Sequence, residues 1–525
     1  MTLLAMVSSI LGAGITLLSV LSQTELWQRK EYRWDRLQAL LKSPEAATLV
    51  WPWIAVAIFI TDFAWISFLY GSLDAAEWLG FIGLLVFTAH HGFRIKKRGV
   101  FRPKLTNKAK LILFSIGVVL IAYLFFTFTF LEFVALQWAT LLLFLPFITA
   151  VVVLVVNIPA DIRKRQIINQ ATALRDSLSS LKVIGITGSY GKTSTKYFLS
   201  QILDFVEKKY IATTEHRNSE LPVAQDMLKQ LKKDSELYIV EMGAYRHHEI
   251  RDLAVLAKPQ IGCITAIGNQ HLDLFGSKQG ILNTKWELVE ALPLDGHAVL
   301  NADDELLIKK AKDLKIPITW YSLKQPKDVW TSEAIFESTN IMCTLHIGMQ
   351  QQAITIPLAS EALLGSVVAA VALAHTIKIP AEEIFLAVQQ LQPYTRTMEI
   401  RTGKNKITII DDSYSANEHG TVLAIKHLSR FKQLDKRIVL LPLIELGSDA
   451  EAVHERIGEA LNQVEAEVFV AGTAYVESLQ KHYEKKLHVV PDPKVLQQIV
   501  SKNLTAETVI LLEGRLPDIV RQAIL

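Results

Sequence analysis

The sequence contains little cysteine and little charge. Cys263 and Cys343 are the only two cysteines in 525 residues, which excludes a disulfide-stapled scaffold and a zinc-ribbon cluster. Charged residues make up 20% of the chain and hydrophobic residues 50%, so intrinsic disorder is excluded as well. The net charge is only +3, and the basic residues are concentrated in a few loops. This distribution argues against a nucleic-acid partner and points to orientation in a membrane.

Long hydrophobic runs are abundant, but they are confined to the first 160 residues. The mean hydropathy of +0.26 is therefore the average of two different parts. A membrane-spanning helix needs about 20 apolar residues. Four stretches satisfy this length and a fifth, which carries His90 and His91, is shorter; in chain order the five are 1–24, 46–73, 78–93, 111–131 and 133–160. We predict a membrane domain of about five transmembrane helices over residues 1–157.

The basic loops indicate how these helices cross the bilayer. With five spans, the basic segments 29–42, 94–110 and 163–165 all fall on one side, together with everything C-terminal to them. The positive-inside rule makes that side cytoplasmic. We therefore expect a multi-pass protein of the plasma membrane, with its N-terminus outside. With four spans these loops would not alternate correctly, so the same rule supports the short stretch 78–93.

Two polar features of this region each have two interpretations. Asp62 lies inside a predicted span, where a carboxylate is either functional or a polar group at a helix–helix contact or the outer interface. Segment 25–42 mixes aromatic, leucine and charged residues. It is either an interfacial amphipathic helix or an ordinary helical loop.

From Leu181 onwards, short apolar runs alternate with amphipathic segments, which predicts α/β domains with mostly parallel sheets. A long helical stretch over 361–391 ends before Pro393, where a new series of strands begins. The predicted strands are 182–187, 237–242, 261–268, 406–412, 437–443, 467–472 and 508–514. The predicted division is a connector helix over 158–180, a central domain over 181–393 and a C-terminal domain over 394–525.

A glycine-rich loop follows the first of these strands. The segment Gly188-Ser189-Tyr190-Gly191-Lys192-Thr193-Ser194 has the spacing of a short G-x-x-G-K-T phosphate loop and is followed by a helix. Its glycines let backbone amides turn toward a phosphate, and the helix N-terminus adds partial positive charge. The lysine can reach the β- and γ-phosphates, and the threonine can bind Mg²⁺. The alternative is a purely structural glycine turn.

The phrase TGSYGKTSTK resembles the ATP loop of the Mur ligase family, whose members join a carboxylate to an amine in an ATP-dependent reaction. The resemblance covers about residues 181–525 and none of the membrane part. It implies a P-loop-type central domain and a Rossmann-like C-terminal domain. It also implies ATP and Mg²⁺ as cofactors.

The resemblance further implies a catalytic and metal-binding set. Glu241, at the end of the strand in YIVEMGAY, and His271, in GNQHLD, stand where the family has Mg²⁺-binding residues. Lys285, in NTKWEL, stands where the family has a lysine that CO₂ converts to a carbamate. The carbamate is an anion with two oxygens for Mg²⁺. Singly, His271 and Lys285 would be ordinary histidine and lysine residues, but their order after Lys192 and Thr193 supports these roles.

Five further positions match family motifs. The resemblance assigns nucleotide contacts to Asn301 in AVLNADD, Arg396 in PYTRT and Asp412 in ITIIDDSY. It assigns substrate contacts to Asn218 in EHRNSELP and to Asn417 in YSANEHG. For Asn301, a polar turn after a strand is the structural alternative. The remaining predicted nucleotide contacts are Gly188, Ser189, Gly191, Lys192, Thr193 and Ser194.

Several departures from the family bear on the substrate. DDSYSANEHG resembles the D-D-S-Y-N-A-N-P signature of the branch that adds D-alanyl-D-alanine, but Ser415 and Glu418 replace an asparagine and the proline. Glu513-Gly514-Arg515 stands where that branch often has Lys-Gly-Ser-Arg. No segment resembles the domain that holds the UDP-sugar, and the apolar stretches occupy its place.

Together these features predict a membrane-anchored, ATP-dependent carboxylate–amine ligase of cell-wall or envelope precursor synthesis that acts through an acyl phosphate. Its expected partners are the lipid bilayer, a lipid-linked cell-wall precursor as acceptor, and an amino acid or dipeptide as amine donor. Two alternatives stay open: a membrane-bound poly-γ-glutamate-type synthase and a non-catalytic nucleotide-binding scaffold. An ATP-driven transporter is disfavoured, because the residues after the phosphate loop do not suit it.

Overall fold

The structure is a computed structural model whose described residues form two compact units, Met1–Arg165 and Gln166–Leu525. The description covers residues 3–29, 69–98, 103–130, 134–268, 272–414, 416–443 and 449–525, with isolated positions in 32–38 and 62–67 and Leu446. Most of the predicted second span, 46–73, lies outside these residues. His271 also lies outside them.

Most described residues of the first unit are helical. Its helices are α1 (Leu3–Arg29), α2 (Leu73–Arg98), α3 (Asn107–Phe130) and α4 (Val134–Ser177). Among the described residues, α1, α3 as far as Phe126, and α4 are long and apolar enough to cross a membrane. They coincide with the first, fourth and fifth predicted spans. The short stretch 78–93 is helical within α2, but α2 does not belong to this group of three.

Polar contacts tie the helices of this unit together. Ser19 of α1 and His91 of α2 form a buried hydrogen bond of 2.6 Å. The Glu77 carboxylate of α2 accepts the Ala135 amide hydrogen at 2.8 Å, where α4 begins. That contact satisfies one of the amides left without a partner at a helix start. Asp62 is helical and exposed, and its two interpretations stay open.

The second unit begins with a nine-stranded sheet in the order β2-β3-β1-β4-β5-β6-β7-β8-β9. Its strands are β1 (Lys182–Thr187), β2 (Ile211–Ala212), β3 (Leu237–Glu241), β4 (Ile261–Ile264), β5 (His297–Asn301), β6 (Ile318–Ser322), β7 (Val329–Phe336), β8 (Ile341–Ile347) and β9 (Gln350–Ile356). Pairing is parallel from β2 to β7 and antiparallel from β7 to β9. The strands predicted at 182–187, 237–242 and 261–268 are β1, β3 and β4.

The second sheet has six strands in the order β10-β11-β15-β12-β13-β14. They are β10 (Glu399–Thr402), β11 (Thr408–Asp412), β12 (Asp435–Leu440), β13 (Glu467–Val470), β14 (His488–Val489) and β15 (Thr508–Glu513). Only β10 runs antiparallel to its neighbour. The predicted fold class, helices followed by two α/β parts with mostly parallel sheets, is confirmed.

Helices cover both sheets. They are α5 (Lys192–Phe205), α6 (Glu220–Gln230), α7 (Glu249–Ala257), α8 (Leu272–Phe275), α9 (Lys278–Glu290), α10 (Glu305–Lys310), α11 (Glu361–Thr376), α12 (Ala381–Val388), α13 (Glu418–Leu428), α14 (Ala450–Leu461), α15 (Val476–His482), α16 (Pro493–Val500) and α17 (Asp518–Ile524). The prediction of a single long helix over 361–391 was wrong. It is divided into α11 and α12, since Lys378 has a left-handed backbone (φ 67°) and Pro380 cannot continue a helix.

Strand β1 lies between β3 and β4, so the chain runs from β1 to β2 and β3 on one side and then crosses to β4 on the other. Such a reversal of strand order opens a crevice at the carboxyl ends of the strands, where α/β proteins bind ligands. One cluster of buried apolar residues runs from this sheet through α11 to the second sheet. The carboxyl ends of β1, β3 and β11 are therefore held close together.

The C-terminal end of α4 belongs to the second unit. Ala171, Leu178 and Leu181 are buried in its apolar core. The guanidinium of Arg175 is buried among them and donates hydrogen bonds to four backbone carbonyls, two on each of two chain segments: Leu178, Leu181, Ala257 and Lys258. The predicted connector segment 158–180 is thus the continuation of α4, and its last turns are part of the α/β core.

Replacing Arg175 with methionine should destabilise the second unit by about 2–4 kcal/mol, because four backbone carbonyls lose a donor, in three buried hydrogen bonds and one part-buried one, while the apolar stem is kept. Denaturant unfolding of the purified chain measures the effect. The neighbouring change Asp176→Ala removes an exposed ion pair with Lys258 and a charge near Arg175 but none of the four hydrogen bonds, so it is the matched control, with an expected effect below about 0.5 kcal/mol. Equal effects of the two changes would contradict the prediction.

Candidate active site

Two cavities open at the carboxyl ends of the strands in the second unit. The smaller has a volume of about 260 Å³ and the larger about 1010 Å³. They share part of their lining, including Tyr190, Asn417 and Arg515. The smaller cavity brings together twelve residues of the phosphate loop and its surroundings, eleven of them predicted site residues: Gly188, Ser189, Tyr190, Gly191, Lys192, Thr193, Ser194, Asn218, Glu241, Lys285, Asp412 and Asn417.

The loop between β1 and α5 has the backbone that the glycines predict. Gly188 and Gly191 have φ values of 150° and 81°, which L-residues rarely adopt. A Cβ on Gly188 would also come within 2.0 Å of the Thr265 hydroxyl. The amide of Ser189 is fixed by a 2.8 Å hydrogen bond to the carbonyl of Ala266. The loop therefore curls back over the start of α5, as a phosphate-binding loop does.

The ammonium group of Lys192 lies in the curl of this loop. Its Nζ donates to the Gly188 carbonyl at 2.6 Å and to the Ser189 carbonyl at 3.2 Å. Burial lowers the pKa of Lys192, and the nearby Glu241 carboxylate opposes that shift. An anion entering the loop would therefore meet a preorganised cation.

Glu241 ends β3 and faces the first turn of α5. Its Oε1 accepts hydrogen bonds from the Thr193 hydroxyl at 2.9 Å and the Asn218 amide at 3.3 Å. Burial raises the pKa of this carboxyl, but the charges of Lys196 and Lys192 outweigh it and hold the pKa below its usual value. The group is therefore an anion beside a hydroxyl, and such oxygen donors suit Mg²⁺.

Lys285 points into the same cavity from α9. It is buried, and its ammonium lies 5.8 Å from the centre of the Phe275 ring. Burial and the charge of Lys192 lower the pKa of Lys285 to about 7, while Glu249 and Glu287 act in the opposite direction. A substantial share of this amine is therefore neutral at neutral pH, and a neutral amine is the form that reacts with CO₂.

These residues fit the implied Mg²⁺ through their donor chemistry. Thr193 and Glu241 supply oxygens 2.9 Å apart, and a carbamate on Lys285 would supply two more in the same cavity. Among the described residues, no group of three or more histidine, cysteine, aspartate and glutamate side chains could hold a metal. The metal role of His271 stays a prediction.

Two family models match the chain on either side of residue 390. The Mur ligase middle domain matches residues 186–374, and the Mur ligase glutamate ligase domain matches residues 396–516. The chain belongs to the Mur ligase family. The matched residues include the phosphate loop, Glu241, Lys285 and Asp412.

Curated Mur ligases match the same part of the chain. The UDP-N-acetylmuramoyl-tripeptide–D-alanyl-D-alanine ligase of Mycobacterium tuberculosis (strain ATCC 25618 / H37Rv) is 32% identical over 322 residues, which are 59% of this chain and 63% of the relative. The chain thus spans less than two thirds of that relative's length. The fold of this chain is similar to that of MurF from Acinetobacter baumannii, with a TM-score of 0.62 and 23% identity over 67% of this chain and 78% of that one. The fold is also similar to that of MurF ligase from Thermotoga maritima in complex with ADP. The TM-score is 0.62 and the identity 23%, over 69% of this chain and 83% of that one.

The second sheet of this Mur ligase contributes Asp412 to the smaller cavity. One of its carboxylate oxygens accepts the Met398 amide hydrogen at 3.0 Å. Burial raises the pKa of Asp412 to about 7; the Met398 hydrogen bond opposes this rise, and Asp411 adds to it. Asn417 caps α13 by accepting the Gly420 amide hydrogen at 3.0 Å, and it lines both cavities.

Two residues with predicted nucleotide contacts do not line either cavity. The Asn301 side chain donates to the Thr265 carbonyl at 3.1 Å and accepts the Asp303 amide hydrogen at 2.9 Å, so it ties β5 to the loop after β4. Arg396 has a left-handed backbone (φ 59°), and its carbonyl accepts the Tyr414 amide hydrogen. Their nucleotide roles stay predictions.

Three features of the site were missed by sequence reasoning. Tyr190 of the phosphate loop stacks on His419 at 5.6 Å, and Tyr414 stacks on His216 at the same distance, so aromatic pairs join the two sheets' loops. Lys196 forms a buried ion pair with Glu241 at 3.0 Å. Only Lys196 left a signal in the sequence, because it lies four residues after Lys192 and therefore on the same face of α5.

The third feature is a pair of buried acids. Asp412 and Glu513 are direct neighbours on the parallel strands β11 and β15. Burial and the charge of Asp412 raise the pKa of Glu513 well above its usual value, although a hydrogen bond from Thr421 opposes this. Glu513 is one of the positions where the sequence departs from the lysine often found in the D-alanyl-D-alanine-adding branch.

This pair should make the stability of the second unit depend on pH. Because both pKa values are raised in the folded state, the folded chain binds more protons than the unfolded chain above about pH 4, and stability falls as pH rises toward 7. Glu513→Gln keeps an acceptor for Thr421 and removes one charge. We expect it to be about 1–3 kcal/mol more stable than the parent chain at pH 8 and equally stable near pH 5.

Thermal unfolding at the two pH values tests this expectation. Glu507→Gln, an exposed change just before β15, is the matched control. It should leave the unfolding temperature unchanged at both pH values. A Glu513→Gln variant that loses stability at pH 8 would refute the interpretation that a raised pKa of Glu513 destabilises the folded chain at that pH.

Proposed function

We propose that this chain is a membrane-anchored, ATP-dependent ligase that joins a carboxylate to an amine in cell-wall precursor synthesis. The single observation that carries the proposal is the intact polar set of one cavity. Lys192 in the phosphate loop, Glu241 with the Thr193 hydroxyl, and buried Lys285 all line it. A non-catalytic scaffold has no need for this combination.

In the first proposed step, the acceptor carboxylate attacks the γ-phosphorus of ATP, and the bond to the bridging oxygen breaks to release ADP. Lys192 and the amides of the loop stabilise the negative charge of the transferring phosphoryl group. In the second step, the amine nitrogen attacks the acyl phosphate carbon. The amide C–N bond forms, phosphate leaves, and the nitrogen loses a proton.

Mg²⁺, when bound, neutralises phosphate charge and orients the phosphoryl group. Thr193 and Glu241 would hold it, and a carbamate on Lys285 would add anionic oxygens. The relevant property of Lys285 is its burial, which favours the neutral amine that accepts CO₂. His271 completes the proposed set by resemblance.

The acceptor is proposed to be lipid-linked. By its name, the mycobacterial relative acts on a UDP-N-acetylmuramoyl-tripeptide and D-alanyl-D-alanine. In this chain, by contrast, apolar helices precede the matched domains, and three of the described helices are long enough to span a bilayer. A ligase held at the cytoplasmic face of the plasma membrane would meet a precursor carried on a membrane lipid. An amino acid or a dipeptide is the proposed amine donor.

The test is ADP release by the full chain in detergent or bilayer discs. The panel combines UDP-linked and lipid-linked stem peptides with amino acids and with D-alanyl-D-alanine. We expect ADP release only when an acceptor and an amine are both present, with the lipid-linked acceptor turned over at least about tenfold faster.

Each alternative has its own outcome. Efficient turnover of UDP-linked peptide with no response to the lipid-linked one would overturn the lipid-linked acceptor but not the ligase. Glutamate-dependent polymer formation would favour the poly-γ-glutamate-type synthase. No ADP release with any pair, from a chain that still binds nucleotide, would leave the scaffold as the explanation.

A further inference from the structure

Lys196 occupies an unusual position for a lysine. Its side chain is only 9% exposed, and that of its partner Glu241 is 6% exposed. Buried ammonium groups lose their hydration and must be paired. Lys196 is paired twice, with the Glu241 carboxylate at 3.0 Å and with the carbonyl of Thr213 at 2.9 Å.

The contacts of Glu241 are divided between its two oxygens. Oε2 faces Lys196, whereas Oε1 faces the Thr193 hydroxyl and the Asn218 amide. The backbone amide of Glu241 donates to the Thr213 hydroxyl at 3.0 Å, so Thr213 also fixes the end of β3. The carboxylate is therefore locked in one orientation, with a single oxygen directed toward the phosphate loop.

Lys192 and Lys196 lie one helical turn apart on α5 and have different tasks. Lys192 makes its hydrogen bonds to the loop carbonyls, where a phosphate would bind. Lys196 lies one turn further into the helix, lines neither cavity, and touches Glu241 from behind. A ligand in the smaller cavity would meet Lys192 directly but would meet Lys196 only through Glu241.

We propose that Lys196 is a positioning residue that fixes Glu241 as a one-oxygen ligand for the divalent cation bound with the nucleotide. This inference rests on the proposed function for the identity of the cation site. Lys196 occupies Oε2 and presents Oε1 beside the Thr193 hydroxyl. Residues behind a metal ligand typically change metal affinity by about 10–100-fold when they are removed.

Charge repulsion alone would make Mg²⁺ binding tighter, not weaker, when the Lys196 ammonium is removed. Two positive charges repel, so removing an ammonium near a cation site should tighten cation binding if Lys196 were only a competitor. The positioning role predicts weaker binding, because Glu241 would turn to find another donor for Oε2. The sign of the change therefore decides between the two roles.

The experiment measures ADP binding to the full chain by calorimetry, without Mg²⁺ and across a Mg²⁺ titration. The variants are Lys196→Gln, which is neutral and one bond shorter, so that its amide cannot replace the ammonium at Oε2, and Lys196→Arg, which keeps the charge. Lys208→Met, on an exposed lysine after α5, is the matched control. ADP binding in the absence of Mg²⁺ serves as the internal reference for an intact phosphate loop.

For Lys196→Gln we expect unchanged ADP affinity without Mg²⁺, within about twofold, and a half-saturating Mg²⁺ concentration at least about tenfold higher. The half-saturating Mg²⁺ concentration of Lys196→Arg should stay within about threefold of that of the parent chain, and that of Lys208→Met should be unchanged. If Lys196→Gln fails to fold, Lys196→Arg still tests the proposal. A tenfold higher half-saturating Mg²⁺ concentration in Lys196→Arg, despite its retained charge, would by itself overturn it.

Other outcomes overturn it as well. Tighter Mg²⁺ binding in Lys196→Gln would make the lysine a competitor, and an equal loss of ADP affinity with and without Mg²⁺ would make it a structural brace. The readout is binding and not ligation. A chain that shows the expected Mg²⁺ shift but forms no amide would contradict the proposed function and leave this inference standing.

Discussion

The Lys192→Ala variant is expected to release ADP at least about a thousand-fold more slowly than the parent chain. The Lys192 ammonium is held by two loop carbonyls at the place where the loop would enclose a phosphate. Without it, the negative charge that develops on the transferring phosphoryl group loses its nearest protein cation. A coupled assay of ADP release with the best substrate pair of the panel measures the loss.

The exposed change Lys208→Ala controls for a general loss of positive charge near α5 and should keep full activity. Thermal unfolding should also be little changed in Lys192→Ala, because this side chain lines a cavity and is not part of the apolar core. If the variant kept more than a tenth of the parent activity, Lys192 would not act on the transferring phosphoryl group.

Loss of Lys285 should also be severe, and arginine at this position should not restore the activity. Lys285→Ala removes the amine, and Lys285→Arg replaces it with a guanidinium that stays charged and forms no carbamate. Both variants are expected to fall below about a hundredth of the parent rate of ADP release. An active Lys285→Arg would show that the position needs positive charge and not a carbamate.

The parent chain should also respond to CO₂ in a pH-dependent way. Since the pKa of Lys285 is lowered to about 7, the neutral amine grows from about a tenth at pH 6 to about nine tenths at pH 8. Activity in CO₂-depleted buffer should therefore be low and should recover with added bicarbonate, more completely at pH 8 than at pH 6. Carbon NMR with labelled bicarbonate would detect the carbamate directly, and Lys285→Arg, which lacks the signal, is the control.

Much of the fold could be predicted from the sequence. Several of the buried parallel strands are short, nearly continuous apolar runs, so β1, β3, β4 and β11 were found within a few residues of their true ends, whereas the parallel strands β2 and β6 were not predicted. Strands β7 to β9 were missed, since in an antiparallel extension one face stays partly exposed and the runs are interrupted by polar residues. The break between α11 and α12 was missed although Pro380 was visible, because apolar residues continue on both sides of it.

Much of the candidate site could also be predicted, because its residues lie in short phrases at the ends of strands. Gly188, Lys192, Glu241, Lys285 and Asp412 come from five segments, and all of them line one cavity. Asn301 was predicted to face a nucleotide, and the structure adds what the sequence did not show, hydrogen bonds of its side chain to the Thr265 carbonyl and the Asp303 amide. A phrase identifies a position along the chain, whereas the contacts of its side chain depend on neighbours that are distant in sequence.

The sequence by itself determined the partition of this chain into apolar helices and α/β domains, the phosphate loop and the family. These depend on local composition and spacing, which the chain displays directly. Only the tertiary structure decided that Arg175 anchors the end of α4 in the α/β core, that Asp412 lies beside Glu513, and that Lys196 holds one oxygen of Glu241. Each of these contacts joins segments at least 45 residues apart, and its energy depends on burial, which exists only after the chain has folded.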